Sequence, residues 1–199
     1  MKTLFLELKT SVLLTLVFAV LLCGAYPLVV WAGAQALFPA KANGSLIVEK
    51  DGTVRGSLLL EQNFSSDKYF QPRASAAGTG YDATASSGTN LGPTSQKLND
   101  SVKAAVAAYR TSNGLAADAS VPADAVTSSA SGLDPHISVS NALDQAARVA
   151  KARGLALDRV QALVAQFTEG RDLGVLGEAG VNVLRLNLAL DGASPAPTK

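Results

Sequence analysis

Residues 10–40 read TSVLLTLVFAVLLCGAYPLVVWAGAQALFPA, about thirty residues without a formal charge and dominated by Leu, Val, Ala and Phe. A hydrocarbon core of roughly 30 Å takes about 20 apolar residues at helical rise. Val12–Trp31 supplies that length with turns to spare, so one transmembrane helix is expected over residues 10–38, carrying Val12, Leu16, Val20, Cys23, Pro27 and Trp31. Thr15 can return its hydroxyl to a backbone carbonyl, and Pro27 is expected to kink the helix near its outer end. Tyr26 and Trp31 fall where interfacial aromatics belong.

Two other readings of this stretch are weaker. A cleaved secretory signal has an apolar region of only about 7–15 residues, although Ala32-Gly33-Ala34 offers small residues for cleavage. A bacterial lipid anchor on Cys23, the one cysteine, would need a small residue before it, and Leu22 stands there. Cys23 reads instead as an apolar side chain in the bilayer or against a partner helix.

The flanks set the expected orientation. Residues 1–9 carry the amino terminus, Lys2 and Lys9 against Glu7, which favours a short cytoplasmic N-terminus. Lys41, Lys50 and Arg55 beyond the helix oppose that bias, but a long following domain translocates largely regardless of its charge. The remainder of the chain is therefore expected outside the cytoplasm.

That remainder is long enough for one domain with a sizeable core and too short to expect two. The chain holds 17 Lys+Arg against 16 Asp+Glu, a net charge of +1, which supplies no basic field for nucleic acid. A single cysteine excludes an internal disulfide, and a single histidine, His136, restricts catalytic and metal chemistry.

Asp51-Gly52 between two β-favouring runs, residues 45–50 and 53–60, signals a hairpin with both residues in its turn. From Asn63 to Ser95 the apolar period vanishes among Gly, Ser, Thr and Ala. The aromatics Phe64, Tyr69, Phe70 and Tyr81 nonetheless argue for an ordered loop docked on something. Thr94-Ser95 opens a helix with Leu98, Val102, Val106 and Tyr109 on one face, and Asn113-Gly114 closes it. Val121–Thr127 bridges to a polar loop, Ser128–His136. A second helix is expected from Ser138 or Ser140 to Arg153, with Val139, Leu143, Ala146 and Val149 or Ala150 inward. Arg148, Lys151 and Arg153 in its last turns match the negative end of the helix dipole and read as solvated capping charges. A third helix over residues 157–168 buries Val160, Leu163, Val164 and Phe167. Val181–Leu190 alternates, with Leu184, Leu186, Leu188 and Leu190 on one side, and reads as a half-buried C-terminal strand. Residues 192–199, with two prolines, read as a flexible tail. The expected fold is thus α+β: a soluble domain over residues 41–191 with a hairpin, a C-terminal strand and about three helices.

No string here has the form of an autonomous active site. There is no phosphate-binding P-loop, and Gly174, Gly177 and Gly180 lead into a strand rather than out of one, against a dinucleotide site. A Ser-His-Asp triad could use only His136, whose neighbour Asp134 lies across a proline, and no G-x-S-x-G occurs. His136 reads as a loop histidine bonded locally, and the ligands for a zinc site are absent. The polar loops around Arg73, Asn90 and Ser128–His136 combine backbone donors, hydroxyls and aromatic area in the manner of a protein-partner or anion surface.

Tyr69-Phe70 with Arg73 and Ser75, the string over Ser87–Thr94, Val121-Pro122, Thr127–Ile137, Arg148–Gly154, and Val181-Asn182-Val183 leading to Leu186–Leu190 together resemble the C subunit of the bacterial Kdp potassium-transporting ATPase. The similarity runs in order through nearly the whole chain. It implies a non-catalytic subunit of an ATP-driven potassium uptake complex in the bacterial inner membrane. Implied partners are an ATP-hydrolysing P-type subunit, a channel-like potassium-binding subunit and a small membrane peptide. ATP and potassium would be handled by the complex, with no cofactor of the chain's own. The family resemblance also implies a catalytic chaperone that raises the ATPase subunit's affinity for ATP. Ala74 replaces the proline that often follows this arginine, and Thr89 stands where a Gly-Ser pair is commoner. Polarity, loop context and family match nominate Arg73, Asn90, Ser131, Asp134, Arg148 and Lys151 as partner-interface residues. An N-in helix keeps the domain from cytoplasmic ATP, so any effect on ATP affinity is expected to pass through the complex by linkage. The alternative is a membrane-anchored extracytoplasmic binding or enzymatic domain acting alone.

Overall fold

The computed structural model describes residues 2–49 and 51–192, so the expected tail beyond Gly192 lies outside the described residues. The backbone divides into two compact units, one ending at Leu46 and one beginning at Ile47.

The first unit is helical almost throughout. α1 (Lys2–Phe18), a π-helical segment (Ala19–Ala25) and α2 (Tyr26–Leu37) follow without a break. Among the described residues Thr3–Leu37 is the one helix long and apolar enough to cross a membrane, 35 residues with none of its most apolar window buried. Val12, Leu16, Val20 and Trp31 are exposed along it, as an anchor requires, and so are Cys23 and Pro27. Pro27 cannot donate, and its ring crowds the preceding turn. The chain answers with the wider π turn: the Tyr26 N–H reaches back to the Leu21 carbonyl, five residues away, just before the proline. After α2 a short helix, α3 (Pro39–Ala42), folds back on its own connection through Ser45 N–H to Ala40 O at 2.9 Å.

The second unit opens with a two-stranded ribbon, β1 (Leu46–Val48) and β2 (Val54–Ser57). Glu49 N–H bonds Thr53 O at 2.9 Å and Gly52 N–H bonds Glu49 O at 3.0 Å. The hairpin forms where expected, and Gly52 at φ 87° closes its turn.

α4 (Gln96–Asn113) is capped by the Ser95 hydroxyl and stopped by Gly114, as its sequence indicates, yet Leu98, Val102, Val106 and Tyr109 are only half-buried. α5 (Ala123–Val126) is the short bridge. β3 (His136–Ser138) follows, so His136 lies on a strand rather than in a loop. α6 (Val139–Arg153) starts at its Ser138 cap and ends at Gly154. It buries Ala146, Val149 and Ala150 as expected, whereas Leu143 is 43% exposed because it sits on the outer side of the stripe. α7 (Leu157–Gln166) buries Val160 and Val164 and hands over to Phe167, 6% exposed, and to β4 (Thr168–Glu169).

The C-terminal segment differs most from its sequence reading. Only β5 (Gly180–Asn182) is strand, forming the centre of an antiparallel sheet in the order β3-β5-β4; residues Val183–Leu190 form helix α8. The Asn182 side chain caps it by accepting the Arg185 N–H at 3.1 Å. Leu184 and Leu188, four apart, pack with Ile47 of the ribbon. Val183 and Leu186 join the main core of Phe70, Ile137, Val149, Val160 and Val181. A helix buried on every side has no polar stripe to announce its period, and its alternating leucines mimic a strand. Good helix formers and a capping asparagine decide the matter.

Candidate functional site

The segment without regular structure, from Asn63 to Ser95, is docked by side-chain amides acting as substitutes for a neighbouring strand. Asn187 on α8 accepts the Phe70 N–H at 2.8 Å and donates to the Phe70 carbonyl at 2.9 Å. Gln145 on α6 does the same for Gln71, accepting its N–H at 2.7 Å and donating to its carbonyl at 3.1 Å. Phe70 can therefore be fully buried with both backbone groups satisfied. Asn141 receives the other Gln145 N–H at 2.8 Å and donates to Asp124, which also holds the Ser138 N–H and hydroxyl at 2.8 Å. Burial holds the Tyr109 phenol, which donates to Asn141, above its ordinary pKa.

Arg148 belongs to the same lock, not to the surface. It is 9% exposed and donates to Asn113, to the carbonyls of Asp67 and Tyr69, and to Gln145 at 2.7–3.1 Å. Its reading as a solvated capping charge is thereby overturned: the guanidinium turns inward to satisfy carbonyls that the irregular segment leaves open. Burial lowers its pKa, with the Asp67 carboxylate opposing. A cleft of about 640 Å³ opens beside it, lined by Asp67, Thr111, Ser112, Gly114, Ala147 and Lys151 among others. Lys151 is exposed. Arg153 pairs with Asp191 at 2.8 Å and lies 4.8 Å over the Tyr69 ring.

A second polar group runs across the sheet. Arg73 pairs with Asp134 at 3.1 Å, Asp134 faces His136 at 3.7 Å, His136 meets Glu169 at 3.2 Å, and Glu169 pairs with Arg185 at 2.8 Å. His136 on one edge strand, opposite Asn182, leans diagonally over Gly180 of the central strand to reach Glu169 on the other edge, opposite Gly180. Asp134 and then Glu169 hold the imidazole pKa above its ordinary value against the effect of burial. The reciprocal contact from His136 keeps Asp134 below the usual carboxylate range. Beside this chain sits Glu61, 4% exposed, with neither carboxylate oxygen in a good hydrogen bond; burial pushes it up to about 7, against the pull of Arg73.

The loop after Arg73 closes on residues 128–133. Ser75 donates to the Gly132 carbonyl at 2.5 Å, the Tyr81 hydroxyl donates to the Arg73 carbonyl at 3.0 Å, and the Ser87 N–H meets the Ser131 carbonyl at 3.0 Å. Gly132, at φ 69°, lies where a Cβ would come within 2.7 Å of the Ala77 nitrogen and the Ser87 oxygen.

Of the residues nominated from sequence, Arg73 and Asp134 thus form one pair, and Ser131 is exposed at the loop contact. Asn90 is exposed at φ 52°, a conformation asparagine tolerates. Ser129, in the loop read as surface, is 2% exposed. Sequence reasoning passed over Gln145, Asn187 and Glu61; the signal for Asn187 was a lone amide among leucines, and that for Gln145 was its place one turn from both Asn141 and Arg148 on the buried side of α6. Among the described residues no cluster of three or more His, Cys, Asp or Glu is arranged to hold a metal ion.

The order of the motifs is matched by known proteins over nearly the whole chain. Residues 8–192 match the family described as KdpC, the K+-transporting ATPase c chain. The chain belongs to the KdpC family. A potassium-transporting ATPase KdpC subunit of Mycobacterium tuberculosis is 54% identical over 185 residues, covering 93% of this chain and 97% of that protein. The KdpC subunit of Rhodospirillum rubrum is 58% identical over 171 residues, 86% of this chain and 88% of its own. That of Koribacter versatilis is 51% identical over 193 residues, 96% and 97%. As a KdpC chain it is a subunit of the potassium-transporting ATPase. The apolar helix Thr3–Leu37 fits a membrane-anchored protein.

Proposed function

We propose that this KdpC chain is a non-catalytic subunit whose soluble domain sits outside the cytoplasm on the channel-like potassium-binding subunit. There it supports assembly and ion entry. Its effect on the ATP affinity of the P-type subunit, the chaperone role, passes through the complex by linkage, without nucleotide contact of its own. The observation that carries this reading is the match to KdpC over residues 8–192. It is supported by the way the domain uses its polar side chains. Arg148, Gln145, Asn187 and Asn141 are committed to holding its own backbone, which makes a rigid surface. The charge bias of residues 1–9 supports the orientation.

Truncation after Leu46, where the first compact unit ends, tests the reading. Loss of assembly or of potassium-stimulated ATPase activity is the expected result; a fully active complex refutes it. Orientation is tested by a Cys23→Ala chain with one cysteine at exposed Thr89, since Ser129 is too buried to report. Labelling by a membrane-impermeant thiol reagent in intact cells is expected. Labelling only after permeabilisation would place the domain beside the ATPase's nucleotide site and make direct action the better account.

A further inference from the structure

Residues 170–179 join β4 to β5, which pair antiparallel with Thr168 opposite Val181 and Glu169 opposite Gly180. Neighbouring antiparallel strands need a connection of only about 2–5 residues, so this one projects beyond what the sheet requires. Its middle, residues 173–177, reads LGVLG and carries no polar side chain. Leu173, Val175 and Leu176 are 90%, 73% and 59% exposed, Leu173 more so than any large apolar side chain of the helix Thr3–Leu37. Nothing among the described residues covers the turn: beyond the adjacent residues, a Cβ added at Gly170, Gly174 or Gly177 would meet no atom within 4 Å. The backbone is nevertheless fixed. Asp172 and Leu176 exchange N–H to carbonyl bonds at 2.9 Å, and the Gly174 N–H bonds Arg171 O at 3.1 Å. At the base Arg171 meets both carboxylate oxygens of Glu178 at 2.7–2.8 Å. Leu173 is held at φ 53°, a conformation that leucine adopts only under constraint.

We propose that this tip is a docking knob, with Leu173, Val175 and Leu176 inserting into an apolar pocket, rimmed by lysine or arginine, on another subunit of the ATPase. The inference rests on the proposed function only in taking a companion subunit as the partner. Two observations select a protein pocket as the occupant. The first is the fixed backbone. A lipid boundary accepts apolar side chains on any backbone, whereas a pocket rewards a shape held in advance, because little conformational freedom is then lost on docking. The tip keeps Leu173 in an unfavourable conformation at full exposure, which serves a shaped receptor and no contact within this domain. The second is the charge beside the knob. Arg171 is neutralised by Glu178, and the exposed Asp172 carboxylate has no ion pair among the described residues, so the rim is net negative. Segments that lie on anionic membranes carry lysine and arginine there instead. Two copies of the tip would bring like charges together. A pocket with a basic rim complements it in both shape and charge.

The test uses the full-length chain in the assembled complex. With the photoreactive p-benzoylphenylalanine incorporated at position 173, illumination of native membranes is expected to join this chain to another subunit. Adducts with lipid alone, a crosslink to a second copy of this chain, or no crosslink overturns the proposal. In parallel, Leu173→Gly combined with Val175→Ser removes the knob while glycine suits the backbone at φ 53°. Thermal melting of the purified chain should therefore hold or rise. Dissociation of the same chain from the detergent-solubilised complex should speed up roughly tenfold. Leu173→Met, still apolar, should stay close to the parental rate. A parental rate for the double variant, with melting unchanged, overturns the knob. The crosslinked subunit separates this inference from the proposed function: the channel-like subunit agrees with both, whereas the P-type subunit upholds the knob and overturns docking on the channel. A complex that fails after truncation at Leu46 yet gives no crosslink from position 173 overturns the knob alone.

Discussion

Replacing Asn187 by leucine keeps the branched outline of the side chain, adds some bulk and removes its two hydrogen bonds. By burial alone, an apolar residue on α8 would be an improvement. The structure argues the reverse, because the bonds at 2.8 and 2.9 Å are the ones that satisfy the N–H and carbonyl of fully buried Phe70. Each buried backbone group left without a partner costs about 1–3 kcal/mol, and leucine recovers about 1–2 kcal/mol of transfer energy. With two groups orphaned, the net loss centres on about 2–3 kcal/mol. At about 2–4 °C per kcal/mol for a domain of this size, melting should fall by roughly 4–12 °C. The assay is thermal melting of the full-length protein together with amide exchange at Phe70 and Gln71, which should speed up before the helices open. Gln145→Leu releases the adjacent residue of the same segment, so the double variant should lose less than the sum of the singles. Unchanged or raised melting for Asn187→Leu, with Phe70 still protected, would refute the clamp.

Further outcomes follow from the same contacts. Glu61 has a folded pKa of about 7 against an ordinary 4.5, so the folded state keeps its proton longer; stability falls as pH rises from about 4.5 to 7, by about 1–2 kcal/mol after solvent screening. Glu61→Gln should remove that loss and leave the protein more stable than the parent in urea melts above neutral pH. His136, raised by Asp134 and Glu169, acts in the same direction: its contribution is complete below the ordinary histidine pKa and is lost as pH rises through the folded value. His136→Asn should therefore flatten the remaining slope, and an unchanged slope would discount the cross-sheet contact. Arg148→Met should cost about 2–5 kcal/mol by orphaning the Asp67 and Tyr69 carbonyls, whereas Lys151→Glu, at an exposed position, should stay within about 0.5 kcal/mol in the same melts. Gly132→Ala should destabilise by about 1–3 kcal/mol and increase proteolysis of residues 75–90, since a Cβ at φ 69° meets backbone at 2.7 Å.

The sequence by itself determined what depends on neighbours along the chain. The anchor follows from an uninterrupted apolar run, the bounds of α4 and α6 from Ser95, Gly114, Ser138 and Gly154, and the hairpin from Asp51-Gly52. Each is a local signal that no distant residue needs to confirm. Likewise, the family was legible because its motifs occur in order. Only the tertiary structure decided what depends on burial. Residues 183–190 could be read as strand because α8 is enclosed on nearly all sides, a setting in which hydrophobic period carries no information about secondary structure. Arg148 is an interior clamp because a docked segment far away in sequence presents open carbonyls to it. His136 meets Glu169 because β5 brings both edge strands into one sheet, in which the imidazole leans diagonally across the strand, from its place opposite Asn182 to the carboxylate opposite Gly180. A charge on a helix face looks the same in sequence whether it meets water or a carbonyl; the packing that chooses between them is set by contacts across the whole domain, and the free energy of those contacts is not written in any short stretch.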